Sequence, residues 1–312
     1  MKKDLNSLKW LALAVILTVF ACRKSVSDTP VPPQQPPPPN PQDSTQPVKK
    51  ADTTSTPAAP FPQQPLTGCA YDPNYGDSII YPQPTDGQDY IVHPINVPGP
   101  GKFLSWPAGL VIDSVTGAID VTKSETGERF AIGFVKAGTT DTCLSNLIIG
   151  GGSYMDSVYV LGDGQTAAYP YYDANPTLTT ICGTGNGNGT GCAFDVTGSA
   201  AQMKVVVNHT TGVIDLDKTL NGPGGLLSSG AFGLVPLNGQ TVTTTIYYRL
   251  NDPSNLATQK IQVQFMYYDS KSNINPGLLG SVVNKLDNIL TGNLIDKSAN
   301  PRPPLIIITR RN

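Results

Sequence analysis

The residues with most chemistry to offer in this 312-residue chain are few: His93 and His209, Glu125 and Glu128, and five cysteines. The two histidines lie far apart in sequence, and His209 falls in a turn-like stretch. Glu125 and Glu128 are three apart in KSETGER, a turn composition. Glycoside hydrolysis instead needs two carboxylates facing across a cleft from separate elements. No G-x-S-x-G or H-E-x-x-H arrangement is present, so no nucleophile or metalloprotease site is expected, and the chain reads as non-enzymatic. The loop GTGNGNGTG, 183–191, has glycines that could cradle a phosphate. It lacks the following Lys-Ser or Lys-Thr and the G-x-G-x-x-G register, and it reads as a structural loop. No Cys-x-x-Cys pair lies near a histidine, so zinc is not expected.

Binding chemistry is better represented. Tyr169, Tyr171 and Tyr172 cluster in AAYPYYDANP, and Tyr247, Arg249 and Tyr268 fall on what reads as the solvent side of a late hairpin. Tyrosine joins a flat apolar face to a polar tip, which suits a sugar or a protein surface. Tyr171, Tyr172, Tyr247, Arg249 and Tyr268 are the ligand-binding candidates. If Tyr247 pairs opposite Gln264, Tyr268 lies four residues further along, roughly 13 Å away, so the two would not form one platform. No cofactor is expected. Asp113, Asp120, Asp215, Asp217 and Asp252 could donate oxygen to calcium, but turn capping explains each more simply.

Composition sets the elements that must hold these groups. With 31 Gly, 29 Pro and only two glutamates among 23 acidic residues, the chain is poor in helix formers. Lys+Arg number 21 with no basic run, which gives no footprint for nucleic acid. Lys2, Lys3 and Lys9 precede an apolar run from Trp10 to Phe20 and then Ala21-Cys22. That is the layout of a secretion signal over 1–21, too short to span a bilayer comfortably. Residues 30–65 hold 13 prolines and no glycine, so 22–66 reads as a disordered stalk sampling polyproline II.

The segment VFAC resembles the lipobox of bacterial lipoproteins. The resemblance implies cleavage before Cys22, acylation (palmitate) of that residue and anchoring to the membrane, favouring the outer membrane. No Asp follows Cys22 directly, and both the cell surface and the periplasmic face fit. An exported chain with four further cysteines suggests two disulfides. Of three connectivities the favoured one joins Cys182 to Cys192, closing the glycine loop, and Cys69 to Cys143, tying the entry of a first module to its last strand. On the chain-entropy model these contribute about 3 and 4.5 kcal/mol.

Two internal matches then appear in order. GDSIIYPQPTDGQDY from Gly76 resembles MDSVYVLGDGQTAAY from Met155, and DSVTGAIDVTKS from Asp113 resembles NHTTGVIDLDKT from Asn208. Each copy closes with a paired-strand signal, RFAIGFV with CLSNLIIGG and TVTTTIYYRL with KIQVQFMYY, the second pair alternating strictly. The chain therefore reads as all-β, with β-sandwich modules at 67–152 and 153–270. In 271–312, Leu278, Leu279, Val282, Val283, Leu286, Ile289 and Leu290 share a helical face. That segment reads as a short helix, and PPLIIITRR after it as a final strand or a tail.

FLSWPAGLVIDSVTGAID resembles the P-x-G-L-x-I-D-x-x-T-G-x-I pattern of bacterial cadherin-like and immunoglobulin-like extracellular modules, carried by Pro107, Gly109, Leu110, Ile112, Asp113, Thr116, Gly117 and Ile119. The second copy keeps Asn208, Thr211, Gly212 and Ile214. The resemblance implies two tandem immunoglobulin-like sandwiches serving cell adhesion or recognition. The alternatives are a glycan-binding accessory lipoprotein of a nutrient-uptake system and a structural envelope spacer or assembly subunit. Expected partners are the membrane, through the lipid, and a glycan or another envelope or surface protein.

Overall fold

The matched segments from Asp113 and Asn208 fold into the same turn. Asp113 Oδ1 accepts the N–H groups of Val115 and Thr116 at 2.9 and 2.7 Å, and Asn208 Oδ1 accepts those of Thr210 and Thr211, both at 3.0 Å. This is the Asx turn that short polar side chains favour. Gly117 and Gly212 close it at φ 72° each. A Cβ there would approach the ring of Phe103 to 2.7 Å or that of Phe194 to 2.6 Å. A buried tyrosine hydroxyl crowns each turn, Tyr75 donating to the Gly117 carbonyl at 2.7 Å and Tyr154 to that of Gly212 at 2.5 Å. The repeat is thus one of packing as well as of letters. Gly117→Ala and Gly212→Ala should each cost about 3 kcal/mol, from the left-handed backbone and the ring contact together. Urea midpoints measure this, and markedly unequal losses would show that the two turns are not equivalent.

The computed structural model describes residues 69, 71–96, 99–107, 109–178, 181–182, 191–224, 228–290 and 303–312, with side chains in the long helix to 284. The signal, Cys22, the stalk and 183–190 lie outside the described residues. In the first half the strands are β1 (Ile79–Ile80), β2 (Ile91–Val92), β3 (Gly101–Trp106), β4 (Val111–Ile112), β5 (Ile119–Asp120), β6 (Glu128–Lys136) and β7 (Thr142–Ile149). They form a sheet of order β1-β7-β6-β3 and a smaller one of order β2-β5-β4. Phe103, Phe130, Ile132, Phe134 and Leu147 of the larger sheet share one core with Ile119 of the smaller.

The second half contains β8 (Gly152–Tyr154), β9 (Ser157–Val160), β10 (Ala167–Ala168), β11 (Pro170–Tyr172), β12 (Ala193–Phe194), α1 (Ser199–Gln202), β13 (Val206–Val207), β14 (Ile214–Asp215), α2 (Leu216–Asn221), β15 (Thr241–Arg249), β16 (Gln259–Ser270), α3 (Pro276–Leu290) and β17 (Leu305–Arg311). Its main sheet has the order β12-β15-β16-β17-β9, beside a three-stranded sheet β10-β14-β13 and the pair β11-β8. The chain is all-β, with three α-helices among the described residues. Both disulfides form as favoured: Cys69–Cys143 with Cα atoms 5.7 Å apart and Cys182–Cys192 with 5.3 Å.

Alternation in β15 and β16 follows the sequence pattern. Val242, Ile246, Tyr248, Ile261, Val263 and Phe265 face the main core, while Thr245, Tyr247, Lys260 and Gln262 line the opposite face. The register differs from the pairing considered above: Tyr247 opposes Lys260, and Gln264 opposes Thr243. The connecting loop takes up the difference, with Asn255 and Leu256 at positive φ. Because the shift is four residues, an even number, no side chain changes face.

The segment PPLIIITRR is an inner strand. β17 runs parallel to both neighbours, Ile307 opposing Met266 on β16 and Val158 on β9. In the first half the matching strand β1 pairs directly with β7, so β17 is an additional strand set into the second sheet. Parallel neighbours need a crossover, and α3 supplies it between β16 and β17. Ile306 and Ile308 belong to the main core, whereas Leu305 and Ile307 pack with Val282, Leu278 and Leu279 of the helix. A strand covered on both faces reads as one apolar run.

Candidate functional site

The two halves meet at a seam built from two tyrosines, a carboxylate and backbone groups. The fully buried Tyr248 hydroxyl lies 2.6 Å from Thr126 Oγ1, accepts the Gly152 N–H at 2.9 Å and reaches Gln259 Oε1 at 3.1 Å. Tyr81 donates to Asp173 Oδ2 and the Gly151 N–H to Asp173 Oδ1, both at 2.9 Å. Gln83 donates to the Pro253 carbonyl at 2.9 Å and accepts from Asn255 Nδ2 at 2.8 Å. Three separate links from residues 81–126 to residues 173–259 hold the halves in one orientation.

Beside this seam lies a cleft of about 150 Å³. Its floor is the outer face of the main sheet, where Thr245 opposes Gln262 and Tyr247 opposes Lys260, a two-by-two grid of side chains. Among the described residues these four side chains make no hydrogen bond or ion pair with the rest of the protein. The far wall is the turn between β5 and β6, which brings Lys123, Glu125 and Glu128 to the cleft. That turn is fixed by its own sequence. Asp120 accepts the Lys123 N–H at 3.1 Å, Ser124 Oγ donates to the Asp120 carbonyl at 2.7 Å, and the Val111 N–H donates to Ser124 Oγ at 2.9 Å. Pro303 and Pro304, leading into β17, line the cleft as well, and so does Ser153 on β8. Ser153 is 1% exposed, and its hydroxyl interacts with that of the buried Tyr171.

Of the five binding candidates, Tyr247 lines this cleft, and Arg249, two residues on along the same face, donates from Nε to Thr258 Oγ1 at 3.0 Å. Tyr268 packs under α3 with Met266. Tyr171 and Tyr172 are buried, at 3% and 1% exposure, in the pair β11-β8. Burial raises the Tyr172 hydroxyl to about 12, Asp252 adding to it, and pushes that of Tyr171 higher still. Of that cluster Tyr169 alone is open to solvent, at 62%. The pattern P-Y-Y is too short to reveal which side faces out, since β11 has three residues. Reasoning from sequence passed over Lys260, Gln262, Thr245 and Ser153. The hairpin register would have found three of them, because it sets two adjacent cross-strand pairs on one face. Glu125 and Glu128, read as an exposed turn, are half-buried at the cleft.

Four of the five aspartates named for calcium act in turns or caps. Asp113 caps its turn, and those N–H bonds, led by Thr116, hold its carboxyl below the usual range. Asp120 and Asp215 each pair with the lysine three residues on, at 2.7 and 2.8 Å. Asp217 accepts from Asn221 Nδ2 and Asp252 Oδ1 from the Ser254 N–H. The one group of three possible metal ligands among the described residues is Cys69, Asp72 and Cys143, where the two sulfurs are joined to each other. His209 donates from Nδ1 to the Phe194 carbonyl at 2.9 Å, and His93 is exposed. The chain matches no protein-family model and no curated protein.

The seam carboxylate is also a pH probe. Burial lifts the Asp173 carboxyl above the usual carboxylate range and Asp252 adds to it, against the Gly151 N–H and Tyr81 hydroxyl, which pull it down. A carboxyl whose pKa is higher folded than unfolded holds its proton more tightly when folded. Its contribution is therefore most favourable at low pH and is lost as pH rises through the raised value. Between about pH 4 and pH 7, urea midpoints of Asp173→Asn should fall less with rising pH than those of the unmodified chain. Parallel curves for the two proteins would remove Asp173 from the pH response.

Proposed function

We propose that the chain is a non-enzymatic, lipid-anchored protein of the cell envelope, whose two immunoglobulin-like halves are presented on the proline-rich stalk and serve adhesion or recognition. The observation that carries this reading is the cleft at the seam. It joins groups from both halves in a fixed relation, and a site held in its binding geometry before the ligand arrives avoids the cost of ordering on binding. The signal-like start and the VFAC segment supply the address, with Cys22 as the acylated residue.

Growth with an alkyne-bearing palmitate should label the chain, and Cys22→Ser should abolish the label. Protease added to intact cells should then remove the chain while a periplasmic control survives. An unlabelled chain overturns the anchor. A labelled chain that resists protease until the cells are permeabilised overturns recognition at the surface and leaves a part in envelope assembly.

A further inference from the structure

The cleft also carries the chemistry of its ligand. We infer that it is a binding site for a single neutral pyranose ring, presented at a glycan end or as a short branch. This inference rests on the recognition reading above and names its ligand class.

Size comes first. Clefts that enclose drug-sized ligands measure about 300–1,000 Å³, whereas this one is about 150 Å³, room for one ring and not for a chain. Charge comes second. Two lysines and two glutamates line the cleft, and Lys123 is already ion-paired with Asp89 and Asp120. With both signs present, the cleft has no one-signed field that would select an anion or a cation. Hydrogen-bonding capacity is the third observation. Gln262 and Thr245 each both donate and accept, and Lys260 donates, all three lining the cleft. Mixed donors and acceptors around a half-exposed tyrosine ring match the alternating hydroxyls and the apolar C–H face of a pyranose.

A peptide fits less well. Extended peptides add to an open strand edge, but β15 and β16 are both inner strands with neighbours on either side. Beyond the Tyr247 ring, the apolar side chains facing the cleft are those of Pro303 and Pro304, which give no pocket for a large side chain.

The test is saturation-transfer NMR on the full acylated chain in lipid nanodiscs, free of glycoside detergents. The probes are the methyl glycosides of glucose, galactose and mannose, free N-acetylglucosamine, the charged comparators glucuronate and glucosamine, and a dipeptide. At least one neutral sugar should bind at millimolar level, and Tyr247→Ala should weaken it at least tenfold. Tyr247→Phe, which keeps the ring and guards against misfolding, should retain binding, and Tyr169→Ala should leave it unchanged. No binding of any neutral sugar at tens of millimolar, binding indifferent to Tyr247→Ala, or binding of the charged sugars or the dipeptide alone would each overturn the inference. Loss of the inference in that way, with the chain still acylated and protease-sensitive on intact cells, leaves the recognition reading standing with another ligand. Sugar binding by a chain that proves protease-protected keeps the inference and removes the surface role.

Discussion

A chain ending at residue 302 should lose the fold of its second half, and the peptide PPLIIITRRN supplied in trans should restore it. Leu305, Ile306, Ile307 and Ile308 are each at most 1% exposed. Truncating one buried Leu or Ile to alanine typically costs about 2–5 kcal/mol, and a whole domain is stable by only about 5–15 kcal/mol. Losing all four together therefore exceeds what the second sheet can absorb. The loss also uncovers β16 and β9, which then present unpaired backbone groups along two edges, and strips α3 of the residues it packs on. Hydrogen exchange is the direct measurement: amides of β9, β15 and β16 should exchange freely in the truncated chain and regain protection with the peptide. Unchanged protection in the truncated chain would mean that β17 is dispensable. A gentler version is Ile307→Ala, expected to cost about 3 kcal/mol.

Gly151→Ala should be strongly destabilising. Gly151 sits at φ 137°, where side-chain-bearing residues are strained. A Cβ there would stand 2.8 Å from both Thr126 Cβ and the Tyr248 hydroxyl oxygen, and would overlap Gln259 Oε1. None of these can retreat cheaply, because they belong to the same buried set of hydrogen bonds. Backbone strain and overpacking together should cost about 4 kcal/mol. The same change should disturb the cleft, since Thr126, one residue from Glu125, is held by Tyr248. The check is a urea titration alongside sugar binding for Gly151→Ala and for Gly164→Ala, a glycine at φ 79° with nothing within 4 Å of its Cβ. Equal losses in the two variants would show that backbone conformation, and not the seam, sets the cost.

Legibility in the sequence followed the range of the interaction. The hairpins β6–β7 and β15–β16 could be read because a strand with one buried face alternates. The turns at Asp113 and Asn208 could be read because an Asx residue and a glycine four places on define them locally. Connectivity of the disulfides came from the loops they would close. β17 could not be placed, because L-I-I-I has no period when both faces are covered, and nothing local says which two strands will take it between them. The cleft was invisible for a related reason. Its residues come from Lys123–Glu128, Ser153, Thr245–Tyr247, Lys260–Gln262 and Pro303–Pro304, five stretches that only the seam and β17 bring together. Tyr247 was found from its own strand, whereas Tyr268, equivalent by type and face, was lost to α3, whose docking site no pattern within β16 announces.

The bridge between Cys69 and Cys143 bears on how the molecule would carry mechanical load. A pull arriving from the residues before 69 reaches Cys69 ahead of the first described strand and passes through a covalent bond to Cys143 on β7, opposite Phe134 in the sheet interior. Strand β1, held by only two residue pairs, is bypassed and cannot be peeled away first. Tension is delivered instead to the eight residue pairs between β6 and β7, so the first half resists being unzipped from its N-terminal end.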